Sequence, residues 1–319
     1  MSKPEAPYRG RFAPSPSGLL HFGSLVAATG SFLEARTRHG EWYLRIEDVD
    51  APRCSKAATD EILRVLEACG FAWDGEVIWQ SKRTPAYEAA LEKLKATGRV
   101  FPCACTRREL GDSAIAPDGA GIYPGTCRQG LAAGRTARAW RAAVGDARIA
   151  FEDAIQGRIV SDLASEAGDF IVRRADGLFA YQLAVVVDDA EAGISHVVRG
   201  ADLLASTSRQ ILLQQCLGVP TPTYAHLPVA VNAAGEKLSK QTRAAPLDGR
   251  RPGPALFAAL EFLGQQPPPG LAGASVQDLW NWAVTNWRLD HVPRGPRLPS
   301  RGEGAPDGIM PAIPRGKPA

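Results

Sequence analysis

RFAPSPSGLLHFGSL (11–25) turns sharply through two prolines and a glycine between two regular segments. A strand-like segment comes first, and an apolar run of small residues follows from Gly23 to about His39, which indicates a helix. EWYLRIED (41–48) then alternates like a second strand, so the order predicts a β-α-β unit. A helix that begins directly after such a turn directs free N–H groups and its positive end toward an anion. Phosphate is therefore the expected ligand.

His21 and Gly23 lie at the mouth of this helix, in the string HFGS. Gly23 leaves room for a planar ring, and His21 can donate a hydrogen bond to phosphate. A histidine beside a helix start is, however, more often a capping or packing group. The common phosphate motifs G-x-G-x-x-G and G-x-x-x-x-G-K-[ST] do not occur in the sequence. The string alone therefore identifies no function.

The composition is typical of a globular protein. The chain has 319 residues, 45% of them hydrophobic, which is enough for two or three domains. No apolar run is long enough to cross a membrane, and MSKPEAPYRGR lacks the apolar middle of a signal peptide, so we expect a cytoplasmic protein without membrane contact. Six unevenly spaced cysteines then favour free thiols or metal ligands over a disulfide framework.

The formal net charge of +3 comes from the end of the chain, because residues 291–319 hold five basic and two acidic side chains. Residues 1–290 are neutral overall, so bulk charge gives no argument for nucleic-acid binding. The same end segment holds seven prolines and five glycines and has little apolar periodicity. We expect residues 291–319 to be disordered.

A second string, KLSK (237–240), follows more than two hundred residues after the first. Alone, such a string is usually a surface turn. Together and in this order, PSPSGLLHFGS and KLSKQ resemble the two signature sequences of class I aminoacyl-tRNA synthetases. RFAPSPSG, LRIEDVDAPR, YQLAVVVDD and VVRGADLL resemble the glutamyl branch of that class. The resemblance covers about 9–241.

The chain length separates two groups within this branch. Full glutamyl-tRNA synthetases continue with a large anticodon-binding part, whereas 78 residues follow Gln241 here. HFGS with Ser24 in place of a second histidine, RGADLL and KLSKQ resemble the truncated paralogues, the glutamyl-Q tRNA(Asp) synthetases. This resemblance implies a ligase that activates L-glutamate with ATP and esterifies it to the queuosine base in the anticodon of tRNA(Asp). We expect the protein to be a monomer. Two alternatives stay open: a reduced synthetase that charges a tRNA 3′ end or another carrier, and a non-catalytic tRNA-binding paralogue.

The resemblance also implies the fold class: an α/β, Rossmann-like class I catalytic domain with a zinc-bearing insertion and a small C-terminal helical region. The two halves of the catalytic domain would span 8–100 and 161–241, the second including the KLSK loop. Short strands and a loop rich in glycine and proline assign 101–160 to the insertion. A small helical patch at 242–290 precedes the tail at 291–319.

A glutamate site needs guanidinium groups for the carboxylates and an acid for the ammonium. Arg11 and Arg199 stand at predicted strand ends and suit forked carboxylate binding, although surface arginines also occur there. The resemblance implies that Glu47 meets the ammonium, and an ion pair with Arg45 or Arg53 is the alternative. The glutamate-binding set implied by the resemblance is Arg11, Phe12, Ala13, Pro14, Ser15, Glu47, Tyr181 and Arg199.

The resemblance implies an ATP site at the two signature strings. His21, Gly23, Ser24, Lys237 and Lys240 would bind ATP, with His21 and Lys240 as the catalytic pair. Negative charge develops on the α-phosphate as pyrophosphate leaves, so Lys240 would follow that charge while Mg²⁺ bridges phosphate oxygens. Ser24 carries no charge, and how it replaces a second histidine is open.

Three thiols lie within 25 residues, at Cys103, Cys105 and Cys127. Structural zinc takes four tetrahedral ligands, so the pattern predicts one structural Zn²⁺ per chain with a fourth ligand to be found. Water, a distant histidine and Tyr123 all fit the residues, and the resemblance favours Tyr123. Three ordinary free cysteines are the alternative.

Overall fold

The computed structural model of the chain describes residues 7–106, 108–110, 121–232 and 246–299. The described helices are α1 (Phe22–Thr37), α2 (Lys56–Ala68), α3 (Thr84–Ala96), α4 (Leu163–Glu166), α5 (Tyr181–Glu191), α6 (Leu204–Leu217), α7 (Pro252–Phe262) and α8 (Val276–Asn286). The described strands are β1 (Arg9–Phe12), β2 (Glu41–Ile46), β3 (Ile78–Trp79), β4 (Val100–Cys103), β5 (Ala139–Ala142), β6 (Arg148–Asp153), β7 (Gly157–Asp162), β8 (Phe170–Arg173), β9 (His196–Gly200), β10 (Thr223–Leu227), β11 (Val229–Val231) and β12 (Arg297–Pro299). Mixed helices and strands confirm the α/β class. Across these ranges, the helices are all too short or too polar to cross a membrane.

The predicted β-α-β unit is confirmed. β1 and β2 pair in parallel, and α1 connects them. The helix starts directly after the proline-rich turn, where the N–H groups of Ser24 and Leu25 donate to His21 O at 2.9 and 3.1 Å. At Gly30 an added Cβ would come within 2.6 Å of the Leu227 side chain, so only a glycine lets α1 lie this close to the neighbouring strand. The N-terminus of α1 is thereby fixed beside the carboxyl end of β1.

Two sheets with parallel strands carry the site, in the orders β1-β2-β3 and β7-β6-β10-β9. They meet where Ser195 N donates to Arg9 O at 3.0 Å, immediately before β9 and at the start of β1. Because the starts of the two strands meet, β1 and β9 run in the same direction. Their carboxyl ends therefore lie at one edge, which is where ligands bind in open α/β sheets.

The strands of the predicted insertion, 101–160, divide between two sheets. β4 and β5 form a separate antiparallel sheet with β8, which lies beyond 160. β6 lies within the predicted insertion and β7 begins within it, but both belong to the sheet of β9 and β10, in which β6 pairs with β10 at Asp153 and Tyr224. A run of short strands in the sequence does not say which strand each one will pair with. The predicted boundary at 160 therefore does not coincide with a position where the chain passes from one sheet to the other.

The C-terminal helices α7 and α8 share their hydrophobic core with the β-α-β unit. Trp280 of α8 lies between Phe32 and Phe71, with ring centroids 4.8 and 5.1 Å away. Its Nε1–H donates to Cys69 O at 2.8 Å, which satisfies the one polar group of a buried ring. The small helical region therefore packs as part of the main body.

The predicted disorder of 291–319 is wrong for its first part, 291–299. There β12 pairs in parallel with β11, and Val229 N donates to Pro296 O at 3.0 Å. Backbone pairing to a buried strand orders this segment although it offers little apolar surface. The remaining tail, 300–319, lies outside the described residues.

Candidate functional site

The proline-rich turn brings His21, Gly23 and Ser24 together at the N-terminus of α1. His21 has extended backbone angles and directly precedes the helix, as expected for a residue at its mouth. The first turn of α1 contains no acidic residue, so the helix itself supplies no carboxylate to offset its positive end. The turn therefore has the geometry and charge of an anion site.

The second signature, with Lys237 and Lys240, lies outside the described residues. The first described residues after it contact the phosphate turn. Leu247 N donates to Leu20 O at 2.9 Å, and Pro246 pairs with His21 in a short antiparallel bridge. The first described residues after KLSK thus lie beside the predicted ATP site.

Arg11 is buried at the carboxyl end of β1, with 4% of its surface exposed, so it is not a surface arginine. Its Nε lies 3.2 and 3.3 Å from the two carboxylate oxygens of Asp189 on α5. Arg45 reaches the same carboxylate, with Nη1 2.5 Å from Asp189 Oδ1. Burial raises the pKa of Asp189, but the charges of Arg11 and Arg45 outweigh it and hold the pKa below its ordinary value. Asp189 therefore stays ionised between two arginines.

Glu47 follows β2 and lies 3.3 Å from Arg45 Nη2, so the predicted alternative of an ion pair with Arg45 exists in the structure. Arg53 instead binds Asp50 at 2.6 Å. Burial raises the pKa of Glu47, while the charges of Arg45 and Arg11 lower it in part, and the net pKa is above its ordinary value. Glu47 N donates to Pro14 O at 3.0 Å, which places the 13–15 segment beside this carboxyl group.

Arg199 is buried at the end of β9 and uses its guanidinium on several partners. Nη2 donates to Thr207 Oγ1 at 2.8 Å and to Gln210 Oε1 at 2.9 Å. Nε donates to His226 Nε2 at 3.1 Å, and Nη1 lies 3.4 Å from Tyr181 Oη. The Arg199 side chain is therefore fixed by the protein before any ligand binds.

Tyr181 shows that the predicted glutamate residues share one place. Burial raises the pKa of its phenol, and the charges of Arg199, Glu47, Arg11 and Arg45 all act on it. The phenol is consequently neutral and available as a hydrogen-bond donor. A neutral phenol, guanidinium groups and a carboxyl group therefore lie near one another where β1, β2 and β9 end, and this set suits an amino acid with two carboxylates.

Sequence reasoning missed four residues of this site: Asp188, Asp189, Asp153 and His226. The sequence suggests Arg45 only as an ion-pair partner of Glu47. In the structure Arg45 lies between three carboxylates, those of Asp188, Asp189 and Glu47. One signal was present for the first two, since VVVDD ends a buried apolar run with two adjacent acids. Buried acids need basic partners, so this pair predicts nearby arginines.

The three predicted thiols lie together in the insertion. Cys103, Cys105 and Cys127 have sulfur atoms within 4.8 Å of one another. Tyr123 Oη lies 3.6 and 3.5 Å from the sulfurs of Cys103 and Cys105, and the Cys105 and Cys127 sulfurs are 3.6 Å apart. A tetrahedral Zn²⁺ with Zn–S bonds of about 2.3 Å sets its ligand sulfurs roughly 3.8 Å apart. Among the described residues these four side chains therefore fit a tetrahedral metal site.

Arg141 is a charged neighbour of this cluster that the sequence did not indicate. Its guanidinium lies 4.0 Å from the centroid of the Tyr123 ring, and its Nε donates to Cys103 Sγ at 3.4 Å. Nη1 donates to Asp169 O at 2.9 Å, which fixes the group in place. The guanidinium therefore places a fixed positive charge against the Cys103 sulfur and the Tyr123 ring, where it can offset the negative charge of metal-bound thiolates.

The chain is similar to known proteins over most of its length. Residues 8–248 match the sequence model of a protein family described as "tRNA synthetases class I (E and Q), catalytic domain". The chain is 64% identical over 299 residues to the glutamyl-Q tRNA(Asp) synthetase of Aromatoleum aromaticum, covering 94% of each protein. It is 61% identical over 291 residues to the glutamyl-Q tRNA(Asp) synthetase of Dechloromonas aromatica, covering 91% of this chain and 97% of the relative.

Solved structures give a likeness of fold. A glutamate tRNA ligase from Elizabethkingia meningosepticum, in complex with its amino acid, superposes with a TM-score of 0.76 at 24% identity. The alignment covers 93% of this chain and 67% of that one. Fold, signature strings and sequence identity agree, and the chain belongs to the glutamyl-Q tRNA(Asp) synthetases, a family of class I tRNA synthetases.

Proposed function

We propose that this protein activates L-glutamate with ATP and transfers the glutamyl group to the queuosine base of tRNA(Asp). The observation that carries the proposal is the grouping of three buried residues, Arg11, Glu47 and Arg199, at the ends of β1, β2 and β9, with Tyr181 Oη 3.4 Å from Arg199 Nη1. Close relatives that are named glutamyl-Q tRNA(Asp) synthetases support the choice of acceptor.

The first step joins glutamate to the α-phosphate of ATP. A carboxylate oxygen of glutamate attacks this phosphorus, the bond to the bridging oxygen of the β-phosphate breaks, and pyrophosphate leaves. His21 and the α1 N-terminus would hold the phosphates, Mg²⁺ enters with ATP, and Lys240 would stabilise the developing charge. Catalysis then depends on position and charge, without a covalent intermediate on a side chain.

The second step transfers the glutamyl group. A hydroxyl of the queuosine base attacks the acyl carbon of glutamyl adenylate, its proton is lost, and AMP leaves as an ester forms. The pocket residues keep the glutamyl group oriented during this attack, since Arg199 and Arg11 hold carboxylate oxygens and Glu47 holds the ammonium.

The same pocket would select glutamate over glutamine. A neutral amide offers a guanidinium only one acceptor oxygen and brings N–H donors against it. Loss of one hydrogen-bond partner from a buried charged group costs about 2 kcal/mol, which corresponds to about 30-fold in specificity.

The cysteine cluster would hold one structural zinc ion through Cys103, Cys105, Tyr123 and Cys127. When bound, zinc links β4 to the loop that contains Tyr123 and Cys127, so its contribution is to folding. Four protein ligands leave no open position for a substrate. The Arg141 guanidinium offsets part of the negative charge of the ligand set.

A charging assay tests the proposed function. Labelled glutamate should be incorporated into queuosine-containing tRNA(Asp) and not into queuosine-free tRNA(Asp). Incorporation should persist after the 3′-terminal adenosine is removed, because the acceptor is in the anticodon. Equal charging of both tRNAs that is lost on 3′ truncation would favour charging of the tRNA 3′ end. A protein without glutamate-dependent pyrophosphate exchange would favour the non-catalytic alternative.

A further inference from the structure

Asp153, His226 and Arg199 form a buried chain of hydrogen bonds that ends in the glutamate pocket. His226 Nδ1 lies 2.6 Å from Asp153 Oδ2, and His226 Nε2 lies 3.1 Å from Arg199 Nε. The exposed fraction is 0% for His226, 3% for Asp153 and 5% for Arg199. The steps proposed above use neither Asp153 nor His226.

The direction of each hydrogen bond in this chain is fixed. Arg199 Nε–H can only donate, so His226 Nε2 accepts and the ring proton resides on Nδ1. Thr207 Oγ1 also lies 3.1 Å from Nε2, and its hydroxyl can donate to the same nitrogen. That proton is donated to Asp153 Oδ2. The other carboxylate oxygen, Oδ1, accepts three backbone N–H groups, from Ile155 at 3.0 Å, Gln156 at 2.8 Å and His226 at 3.1 Å. The Asp153 carboxylate therefore determines the tautomer of His226.

The His226 bond also completes the restraint of the Arg199 guanidinium. Nε bonds His226, and Nη2 bonds Thr207 and Gln210. Nη1 lies on the side of Tyr181, a second residue of the predicted glutamate set. His226 and Arg199 are register partners in the parallel pairing of β10 with β9, so the backbone holds the two side chains opposite each other.

We infer that Asp153 and His226 are positioning residues: the Asp153 carboxylate sets the His226 tautomer, and His226 Nε2 fixes the rotation of Arg199 so that Nη1 is presented to a carboxylate of glutamate. The inference rests on the proposed function, because it assigns Arg199 to the substrate. It adds two residues that touch no substrate and act through Arg199.

Asp153→Asn tests the direction of the chain. The three backbone donors keep the amide oxygen in the place of Oδ1, so the amide Nδ2–H₂ faces His226 Nδ1 and donates to it. The ring proton then moves to Nε2 and opposes Arg199 Nε–H. We expect the KM for glutamate in ATP–pyrophosphate exchange to rise about tenfold or more, with the KM for ATP unchanged.

Two substitutions of His226 test the roles of its two ring nitrogens separately. In His226→Asn the amide occupies the place of Nδ1 and leaves Arg199 Nε without its acceptor. In His226→Gln the amide oxygen can take the place of Nε2 and accept from Arg199. We expect the larger rise in the KM for glutamate in His226→Asn. In the His226→Gln background, Asp153→Asn should cause no further rise, because the ring that transmits its effect is gone.

Tyr224→Phe is the matched structural control. It deletes the buried bond from Gln214 Nε2 to Tyr224 Oη, 2.9 Å long, on the same strand as His226. The ring that lies 5.5 Å from the Arg199 guanidinium remains. We expect this variant to lower the melting temperature without changing the KM for glutamate.

The outcomes distinguish this inference from the proposed function. If the wild type shows no glutamate-dependent exchange, the proposed function fails. If the wild type shows glutamate-dependent pyrophosphate exchange, but the KM for glutamate is the same in Asp153→Asn and in Tyr224→Phe, only the positioning role is overturned. Additive effects of Asp153→Asn and His226→Gln on the KM would also overturn it, since they would act independently.

Discussion

Asp189→Asn removes one negative charge from the centre of the buried arginine network and keeps the shape of the side chain. In the wild type, Asp189 accepts from Arg11 Nε at 3.2 Å and from Arg45 Nη1 at 2.5 Å. Both contacts are to Oδ1, so an amide oxygen in that place keeps them. The amide N–H₂ in the place of Oδ2 then meets Arg11 Nη2, which lies 3.3 Å from Oδ2 in the wild type, donor to donor, so the variant loses both charge and a hydrogen bond.

The expected loss of unfolding free energy depends on which carboxylate partners each arginine keeps in the variant. Removal of one partner of a buried ion pair typically costs about 3–5 kcal/mol of unfolding free energy. Arg45 retains Glu47 at 3.3 Å and Asp188 at 3.8 Å, which places the expected cost near the lower limit, about 3 kcal/mol. In a chain of this size, that loss lowers the melting temperature by about 6 °C. The KM for glutamate should also rise, because Arg11 loses the group that orients it.

Glu191→Gln is the control for the assay, because it makes the same acid-to-amide change on the same helix. Glu191 pairs with Arg83 at 2.6 Å, but 54% of its side chain is exposed. Such a surface pair contributes less than about 1 kcal/mol. Calorimetric melting of the two variants and the wild type at neutral pH compares the effects. Equal melting temperatures for Asp189→Asn and Glu191→Gln would refute the assigned role of the buried charge.

The pH dependence of the difference has a defined sign. The pKa of Asp189 is lower in the folded chain than the ordinary value of about 3.9, because the two arginine charges outweigh burial. The stabilisation is therefore complete above that ordinary value and is lost as pH falls through the lower folded-state pKa. Wild type and Asp189→Asn should differ in stability from neutral to mildly acidic pH and converge only in strong acid.

Three further predictions concern the remaining parts of the site. The KM for glutamate of the wild type should rise as pH falls toward the raised pKa of Glu47. Glu47→Gln binds glutamate weakly at every pH, so its KM should not change over the same range. If the KM of wild type and variant changed with pH in the same way, Glu47 would not have this role. Metal analysis should find about one zinc per chain, and Cys127→Ser should lose zinc and melt at a lower temperature; full zinc content in that variant, or none in the wild type, would remove the site. Lys240→Ala should lower the exchange rate about 100-fold or more with little change in the KM for ATP; a change confined to that KM would argue against action on the transition state.

The sequence predicted those features that depend on neighbouring residues. Prolines and a glycine break the chain before α1, a helix rich in small residues follows, and the β-α-β unit results. The starts of α2 and α3 also carry local signals, because Ser55 caps the first and Pro85 stands in the first turn of the second. Cys103 and Cys105 lie close in the chain, and Cys127 joins them across one loop.

Features that depend on partners far along the chain were missed or misplaced. β12 is ordered by its pairing with β11, more than sixty residues earlier, so composition alone predicts disorder there. Asp189 meets Arg11 across 178 positions, and Asp153 meets His226 across 73. Local sequence patterns such as VVVDD indicate that buried acids need basic partners, but they do not say which residues those partners are. They follow only from the order of strands in the sheets.

The two predicted glutamate arginines share one physical arrangement. Each is buried, and each is held by an ionised aspartate from a distant element, Arg11 directly by Asp189 and Arg199 through His226 by Asp153. A buried cation without such a partner would be costly, so the aspartates let guanidinium groups exist in the pocket before substrate arrives. Glutamate then meets donors whose rotamers are already fixed, and its binding does not have to order those side chains. The same preorganisation makes the pocket intolerant of a neutral amide, because fixed guanidinium donors cannot turn away from the amide N–H₂.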